Sequence, residues 1–296
     1  MAEPQGISKD EVALYDRQIR LWGLAAQNLL RQSTVKIHGI KTLTLELSKN
    51  LVLAGIGTLI LVDPSPISDK DLETQYYFHE EHLGSPRDQV LAEKLRVLNP
   101  LVIIQTEDTD KCDVVVDIGD TRDSVRMDAE CREKGQKYIR ADCFGLFGYF
   151  FIDCLENHEY IEETKVEGDS GETNKASYTA SYISLAQSVV AKPGLSNLQP
   201  LATHIDSNSE TAASTEDLEV MVAKSLEGRG MPEGVIDQEL LGRVKQSLNT
   251  EFVPSASVVG GTLAQEVLKI VTHKDLPMNN WYVFDAIKCD GITCQL

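Results

Sequence analysis

None of the six cysteines, Cys112, Cys131, Cys143, Cys154, Cys289 and Cys294, stands in a C-x-x-C pair. A zinc knuckle uses that spacing to bring two thiolates together, so no such site is expected within this chain. No apolar signal region opens the sequence, and the thiols are therefore expected to be reduced, in cytosol or nucleus. No apolar run approaches the roughly 20 residues of a membrane span. Positive charge is scarce: 28 Lys and Arg stand against 46 Asp and Glu, for a net charge of −18. A nucleic-acid surface needs clustered basic residues, so nucleic acid is not an expected partner. A protein with a basic face is a better electrostatic match. No internal repeat is evident. What remains is 296 residues, 42% of them hydrophobic, enough to bury a sizeable core in one large domain or two small ones.

The rest of the chain is organised around residues 33–63. Thr34-Val35-Lys36-Ile37 is a short, mostly β-branched run, broken by Gly39. Leu43, Leu47, Leu51 and Ala54 then recur at helical spacing until Gly55 and Gly57 stop them. Thr58-Leu59-Ile60-Leu61-Val62 is a near-continuous apolar run ending in Asp63, as expected of a buried parallel strand. This is one βαβ unit. In nucleotide-binding versions the first turn reads G-x-G-x-x-G, so that the backbone can approach a phosphate at the helix N-terminus. The stretch here is Gly39-Ile40-Lys41-Thr42-Leu43-Thr44, and only the first glycine survives. Lys41 is expected to crowd the phosphate path, and Thr44 to push the helix off the strand. Asp63 stands where an acidic residue would hold a ribose hydroxyl. A plain βαβ unit and a nucleotide domain that has lost its ligand both fit this pattern.

Along the chain, Ser8-Lys9-Asp10-Glu11 reads as a capping box opening a helix. Tyr15-Asp16-Arg17-Gln18-Ile19-Arg20-Leu21-Trp22-Gly23 follows, with Leu21 and Trp22 expected in the core and Arg20 in a surface ion pair. After Asp63 the pattern predicts a short amphipathic segment over 71–78 and a helix from Ser85-Pro86 to Leu98. Strands are predicted over 101–105, 113–118 and 137–141, with a helix over 120–134. This alternation predicts an α/β fold with a doubly wound, mainly parallel sheet. Residues 145–161 read as antiparallel strands. The chain then turns polar, and 162–217 reads as an insertion with mobile loops; helices are expected over 185–191, 216–226 and 233–248. A strongly apolar helix starts near Pro254, and Gly260-Gly261 inside it suggests close approach of another backbone, such as a partner helix. Trp281 to Asp285 reads as a closing strand. The organisation expected is 1–163 for the N-terminal part of the sheet domain, 164–250 for the polar, partly helical insertion and 251–296 for the return to the domain.

The Tyr-Asp-Arg-Gln-Ile stretch at 15–19 followed by a βαβ unit resembles the start of the Rossmann-like adenylation domain, of ThiF/MoeB type, found in ubiquitin-like-protein activating enzymes. Gly145-Leu146-Phe147-Gly148-Tyr149, Glu159-Tyr160-Ile161-Glu162-Glu163 and Val258-Val259-Gly260-Gly261-Thr262-Leu263-Ala264-Gln265-Glu266-Val267 are similar to the small, non-catalytic subunits that serve SUMO. The resemblance is weak between residues 165 and 249. It implies a pseudo-enzyme half whose partner, the large catalytic subunit of the SUMO-activating enzyme, binds ATP and Mg2+ and carries the thioester cysteine, with SUMO engaged indirectly. It implies no cofactor and no metal on this chain, and a nuclear location, with cytoplasm as the alternative. Active members carry an Asn-x-x-Arg-Gln-Phe stretch where this chain has Leu72-Glu73-Thr74-Gln75-Tyr76, and a lysine matched only by Arg87; Asp120 stands where they carry an aspartate. By itself Arg17 reads as an ion-pair partner of Asp16 or a nearby carboxylate. The resemblance implies instead that Arg17 is the catalytic residue this half supplies, reaching across the interface to the partner's ATP as the modifier's C-terminal carboxylate attacks the α-phosphate.

Three other functions fit parts of this pattern less well. An active homodimeric adenylating enzyme, like the bacterial sulfur-carrier activators, would need the glycines missing at 41 and 44. A dinucleotide-dependent oxidoreductase is allowed by Asp63 but meets the same broken loop, and no Tyr-x-x-x-Lys pair suggests hydride chemistry. The related small subunit serving the cullin modifier is normally much longer. No histidine is placed by the sequence beside Cys131 or Cys143, and buried structural thiols are expected for all six.

Overall fold

In the computed structural model the described residues are 9–119, 123–165, 173–190, 238–247 and 250–295. The chain opens with α1 (Lys9–Leu14) and α2 (Asp16–Gln32). The βαβ unit follows as β1 (Thr34–His38), α3 (Thr42–Ala54) and β2 (Thr58–Val62), with the limits its glycines imply. Gly55 ends α3 in the left-handed region (φ 85°), where a Cβ would also strike the Tyr15 ring. Next come α4 (Asp69–Thr74), α5 (Arg87–Leu98) and the short β3 (Ile103–Gln105). Then β4 (Val114–Ile118), α6 (Ser124–Lys134), β5 (Lys137–Phe144) and β6 (Phe147–Asp153) complete the first part of the sheet. The remaining elements are β7 (His158–Lys165), β8 (Thr173–Ala180), α7 (Leu185–Val190), α8 (Gln238–Ser247), α9 (Val253–Thr272), β9 (Trp281–Asp285) and β10 (Asp290–Cys294).

Eight strands form one sheet in the order β10-β9-β6-β5-β4-β1-β2-β3. The five from β5 to β3 are parallel, and β6, β9 and β10 extend the sheet antiparallel. The parallel strands are apolar on both faces because helices cover both. Leu43, Leu47 and Leu51 of α3, Leu91 and Leu95 of α5, and Val259, Leu263 and Val267 of α9 bury one face. Cys131 of α6, Leu185 of α7 and Val244 of α8 join Phe147, Tyr149, Phe151 and Trp281 on the other. Chain order reverses between β1 and β4. Such a switch point opens a crevice at the carboxyl ends of the strands, where ligands of this architecture bind.

Several expectations change. Leu21 is 75% exposed, not in the core, whereas Trp22 does pack against the core and donates to Gln27 Oε1 (2.9 Å). Gly23 breaks α2 with φ 89° and ψ 160°, so the apolar residues before and after it do not share one helical face. The polar stretch after Glu162 opens as a regular ribbon: β7 and β8 pair over eight residues, from His158↔Ala180 to Lys165↔Thr173, with Tyr160 stacked on Tyr178 (5.6 Å). The close approach at Gly260 comes from α3 of the same chain: a Cβ there would lie 2.8 Å from Glu46 Cβ, while Gly261 meets nothing within 4 Å. Ser8, the helix expected over 216–226 and the linker at 228–232 lie outside the described residues, as does Asp120.

Candidate functional site

The crevice at the switch point is built by the loop after β1, the end of β4 and the end of β5. Gly39 turns the chain out of β1 at φ 82°, and a Cβ on it would lie 1.7 Å from the Ile118 carbonyl oxygen. Only glycine permits β1 and β4 to approach this closely there. Beyond it the three backbone N–H groups that would face a phosphate all have internal acceptors. Ile40 N–H donates to Asp63 Oδ2 (2.9 Å) and Lys41 N–H to Thr44 Oγ1 (3.2 Å). Thr42 N–H donates to a carboxylate oxygen of Glu251 (2.9 Å), which also accepts the Thr42 hydroxyl and that of Thr74 (3.3 Å).

Lys41 reaches across the crevice. Its Cε would lie 3.3 Å from a Cβ on Gly119, just past β4, and its Nζ pairs with both oxygens of Asp142 at the end of β5 (3.3 and 3.2 Å). The side chain thus bridges the crevice from β1 to β5. Thr44, by contrast, does not push α3 off the strand. It is fully buried, and its hydroxyl donates back to Gly39 O (2.7 Å), so the loop closes around it.

Asp63 is equally occupied. Besides Ile40 N–H it accepts Ser65 N–H (3.1 Å) and lies 3.5 Å from Arg87. Arg87, the counterpart of the family's lysine, pairs with Asp71 at 2.8 Å. Burial works against the Asp71 carboxylate, but the Arg87 guanidinium and the Ser68 amide and hydroxyl outweigh it and hold its pKa below the usual range. Beside α3 a cavity of about 330 Å3 is lined by Lys41, Lys70, Asp71, Thr74, Arg87 and Glu251 among others. A nucleotide would need the loop donors and a ribose acceptor at Asp63, and each is engaged within the chain.

Arg17 presents the opposite picture. Tyr15 is buried and accepts a hydrogen bond from Asn99 Nδ2 (2.7 Å) at the end of α5; the same amide donates to Val52 O (2.8 Å) of α3, so the start of α2 is held to both helices. Asp16 pairs with Arg20 one turn on (2.9 Å), so it is not the partner of Arg17. Arg17 is exposed and makes no ion pair with any described residue. Burial pushes the Cys131 thiol up to about 12 and the Cys143 and Cys154 thiols well above their ordinary value. Thiols so raised are poor nucleophiles, but not all six are buried as expected: Cys289 is exposed and Cys112 half-buried. No cluster of three or more metal-ligating side chains, and no helix long and apolar enough to cross a membrane, occurs among the described residues.

Fold and site together define a class: a doubly wound α/β domain whose switch-point crevice is bridged by its own side chains. The chain belongs to the ThiF family, whose sequence profile matches residues 15–296. Members of this family use ATP and Mg2+. The chain is 32% identical over 296 residues to the DNA damage tolerance protein rad31 of Schizosaccharomyces pombe, with 95% of each chain covered. It is 32% identical over 335 residues to SUMO-activating enzyme subunit 1 of Homo sapiens, covering 97% of this chain and 95% of that protein. For the protein of the same name from Xenopus tropicalis the identity is 33% over 339 residues, covering 97% and 96%. The crystal structure of E. coli MccB with succinimide superposes with a TM-score of 0.58 at 15% identity, covering 95% of this chain and 72% of that one, a likeness of fold.

Sequence reasoning located Gly39, Lys41, Asp63 and Arg87 but missed Asp142 and Glu251. Asp142 carried a usable signal, since it is an acidic residue near the carboxyl end of a buried strand, as Asp63 is. Glu251 carried none: it reaches Thr42 from 209 residues away.

Proposed function

We propose that this chain is the small, non-catalytic subunit of a heterodimeric SUMO-activating enzyme, supporting ATP-dependent adenylation of the SUMO C-terminus and thioester formation on its partner. The observation that carries this reading is the similarity to SUMO-activating enzyme subunit 1 across nearly the whole of both chains. The closed cradle supports its division of labour. A chain whose phosphate donors and ribose acceptor are engaged internally leaves ATP and Mg2+ to the large catalytic subunit. The same closure disfavours an active homodimeric adenylating enzyme. Arg17 is the catalytic residue supplied in trans: an exposed, permanently charged, planar fork suited to phosphate oxygens. The complex works in the nucleus, with cytoplasm as the alternative, and engages neither nucleic acid nor membrane through this chain.

ATP–pyrophosphate exchange with SUMO present tests this in three arms. The chain alone is expected to be inactive and the chain with the large subunit active. Arg17→Ala with the large subunit should still assemble but lose at least tenfold in rate, about 1.4 kcal/mol of transition-state stabilisation. Exchange by the isolated chain would show it to be an enzyme in its own right. An Arg17→Ala complex with full activity would remove the trans role.

A further inference from the structure

We propose that Glu251 is a resident anion that takes the phosphate position of the cradle, so that the site is latched shut rather than merely degraded. The inference concerns this chain alone and does not depend on which modifier or partner it serves.

α3 runs for 13 residues and carries no acidic side chain in its first turn. Its positive end therefore lacks the local carboxylate that commonly balances one. A carboxylate does lie there, but it comes from the other end of the chain. Glu251 accepts the first N–H of the helix, the hydroxyl of the same residue and the hydroxyl of Thr74 from α4. Backbone N–H and hydroxyl groups converging on one anionic oxygen at a helix N-terminus are the donors a phosphate would meet. The other two loop donors turn away, to Asp63 and Thr44. Two of the three basic groups lining the cavity are balanced in the same manner, Lys41 by Asp142 and Arg87 by Asp71.

The place of Glu251 in the chain gives the latch a purpose. It lies between α8 and α9, where the polar insertion ends and the sheet domain resumes. Its neighbour Thr250 accepts Gly145 N–H (2.6 Å) from the β5–β6 turn and donates to Ser247 O (3.0 Å) at the end of α8. Phe252, on its other side, accepts Ala256 N–H (3.1 Å) and so begins α9. Docking of Glu251 on α3 thus fixes the return of the chain onto the βαβ unit. A tethered carboxylate competes with free phosphate at high effective concentration, and the free anion loses.

The test is thermal denaturation of the full chain as wild type, Glu251→Ala and Glu251→Gln, in chloride and in inorganic phosphate at matched ionic strength. Removing the carboxylate is expected to lower Tm by about 5 °C. Phosphate should restore most of that loss in Glu251→Ala with a saturable dose dependence. It should leave the wild type at its chloride value. Glu251→Gln keeps an acceptor without the charge and fills the space, so it should melt between the two and gain nothing from phosphate. An unchanged Tm in Glu251→Ala, or equal stabilisation of wild type and Glu251→Ala by phosphate, would overturn the proposal. If Glu251→Ala fails to fold, Glu251→Gln decides: melting at the wild-type temperature refutes the latch, and a lower temperature supports it.

Discussion

Two adjacent glycines in α9 should respond to the same substitution with opposite signs. A Cβ at Gly260 would lie 2.8 Å from Glu46 Cβ and 3.3 Å from Leu47 N of α3. Both are atoms at the helix backbone, so no flexible side chain can swing aside, and α3 and α9 would have to separate by several tenths of an ångström. Overpacking of this kind costs about 1–3 kcal/mol. Alanine recovers about 1 kcal/mol of helix propensity over glycine. Gly260→Ala should therefore lose up to about 2 kcal/mol. Gly261 meets nothing within 4 Å, so Gly261→Ala should keep the propensity gain of about 1 kcal/mol. For a chain of this size each kcal/mol moves Tm by about 2–4 °C. Urea denaturation of the three proteins, read by far-ultraviolet circular dichroism, gives the midpoints. The expected order is Gly261→Ala, wild type, Gly260→Ala. If Gly260→Ala is stabilised as much as Gly261→Ala, α9 does not approach α3 as described, and the packing argument fails.

Two further predictions concern buried charge. Burial and the neighbouring Asp153 charge push the Asp128 carboxyl up to about 7, and its Oδ2 accepts Leu185 N–H (2.7 Å) at the start of α7. The unfolded carboxyl loses its proton near pH 4, so stability should fall as pH rises from about 4 to 7 and stay reduced above that. Asp128→Asn keeps the acceptor and removes the titration; its urea midpoint should change less than that of the wild type between pH 5 and pH 8, and equal changes would refute the assignment. Arg87→Met leaves Asp71 and Asp63 without their cation and should cost about 2 kcal/mol near pH 7. Because the folded Asp71 pKa is depressed, the stability it contributes is present above about pH 4 and lost as pH falls through the folded value, so the cost of Arg87→Met should shrink toward about pH 3 in denaturant titrations.

The fold was largely legible because its signals are local. A β-branched run, a glycine at a positive φ, helical leucines and a second apolar run define the βαβ unit within 30 residues or so. The misreadings have physical reasons of two kinds. Leu21 was misplaced because Gly23 resets the helix phase within α2, which periodicity cannot register. The sequence reads strand only to Ile161, and the rest of β7 with all of β8 as loop, because both faces of this ribbon are largely solvated and the alternation that marks a half-buried strand is missing. For the site, the sequence showed which groups had been lost but not what replaced them. The replacements lie far away along the chain: Asp142 is 101 residues from Lys41, and Glu251 is 209 from Thr42.

The internal acceptors also bear on the stability of the loop after β1. A bound nucleotide stabilises the fold that holds it. Taking it away strands the donors that faced it, and a buried donor left unpaired costs about 1–3 kcal/mol. Ile40, Lys41 and Thr42 present three such donors within three residues. Left unpaired, they would consume a large part of the 5–15 kcal/mol that typically separates folded from unfolded chains. Each has an acceptor within the chain, and each acceptor differs: the Asp63 carboxylate after β2, the Thr44 hydroxyl, and the Glu251 carboxylate from just before α9. Restoring glycine at position 41 alone should therefore not restore ATP binding, because Asp63, Thr44 and Glu251 would still hold the donors. Isothermal titration of Lys41→Gly with ATP and Mg2+ should show no heat of binding, and a saturable signal would mean that the lysine alone had closed the site.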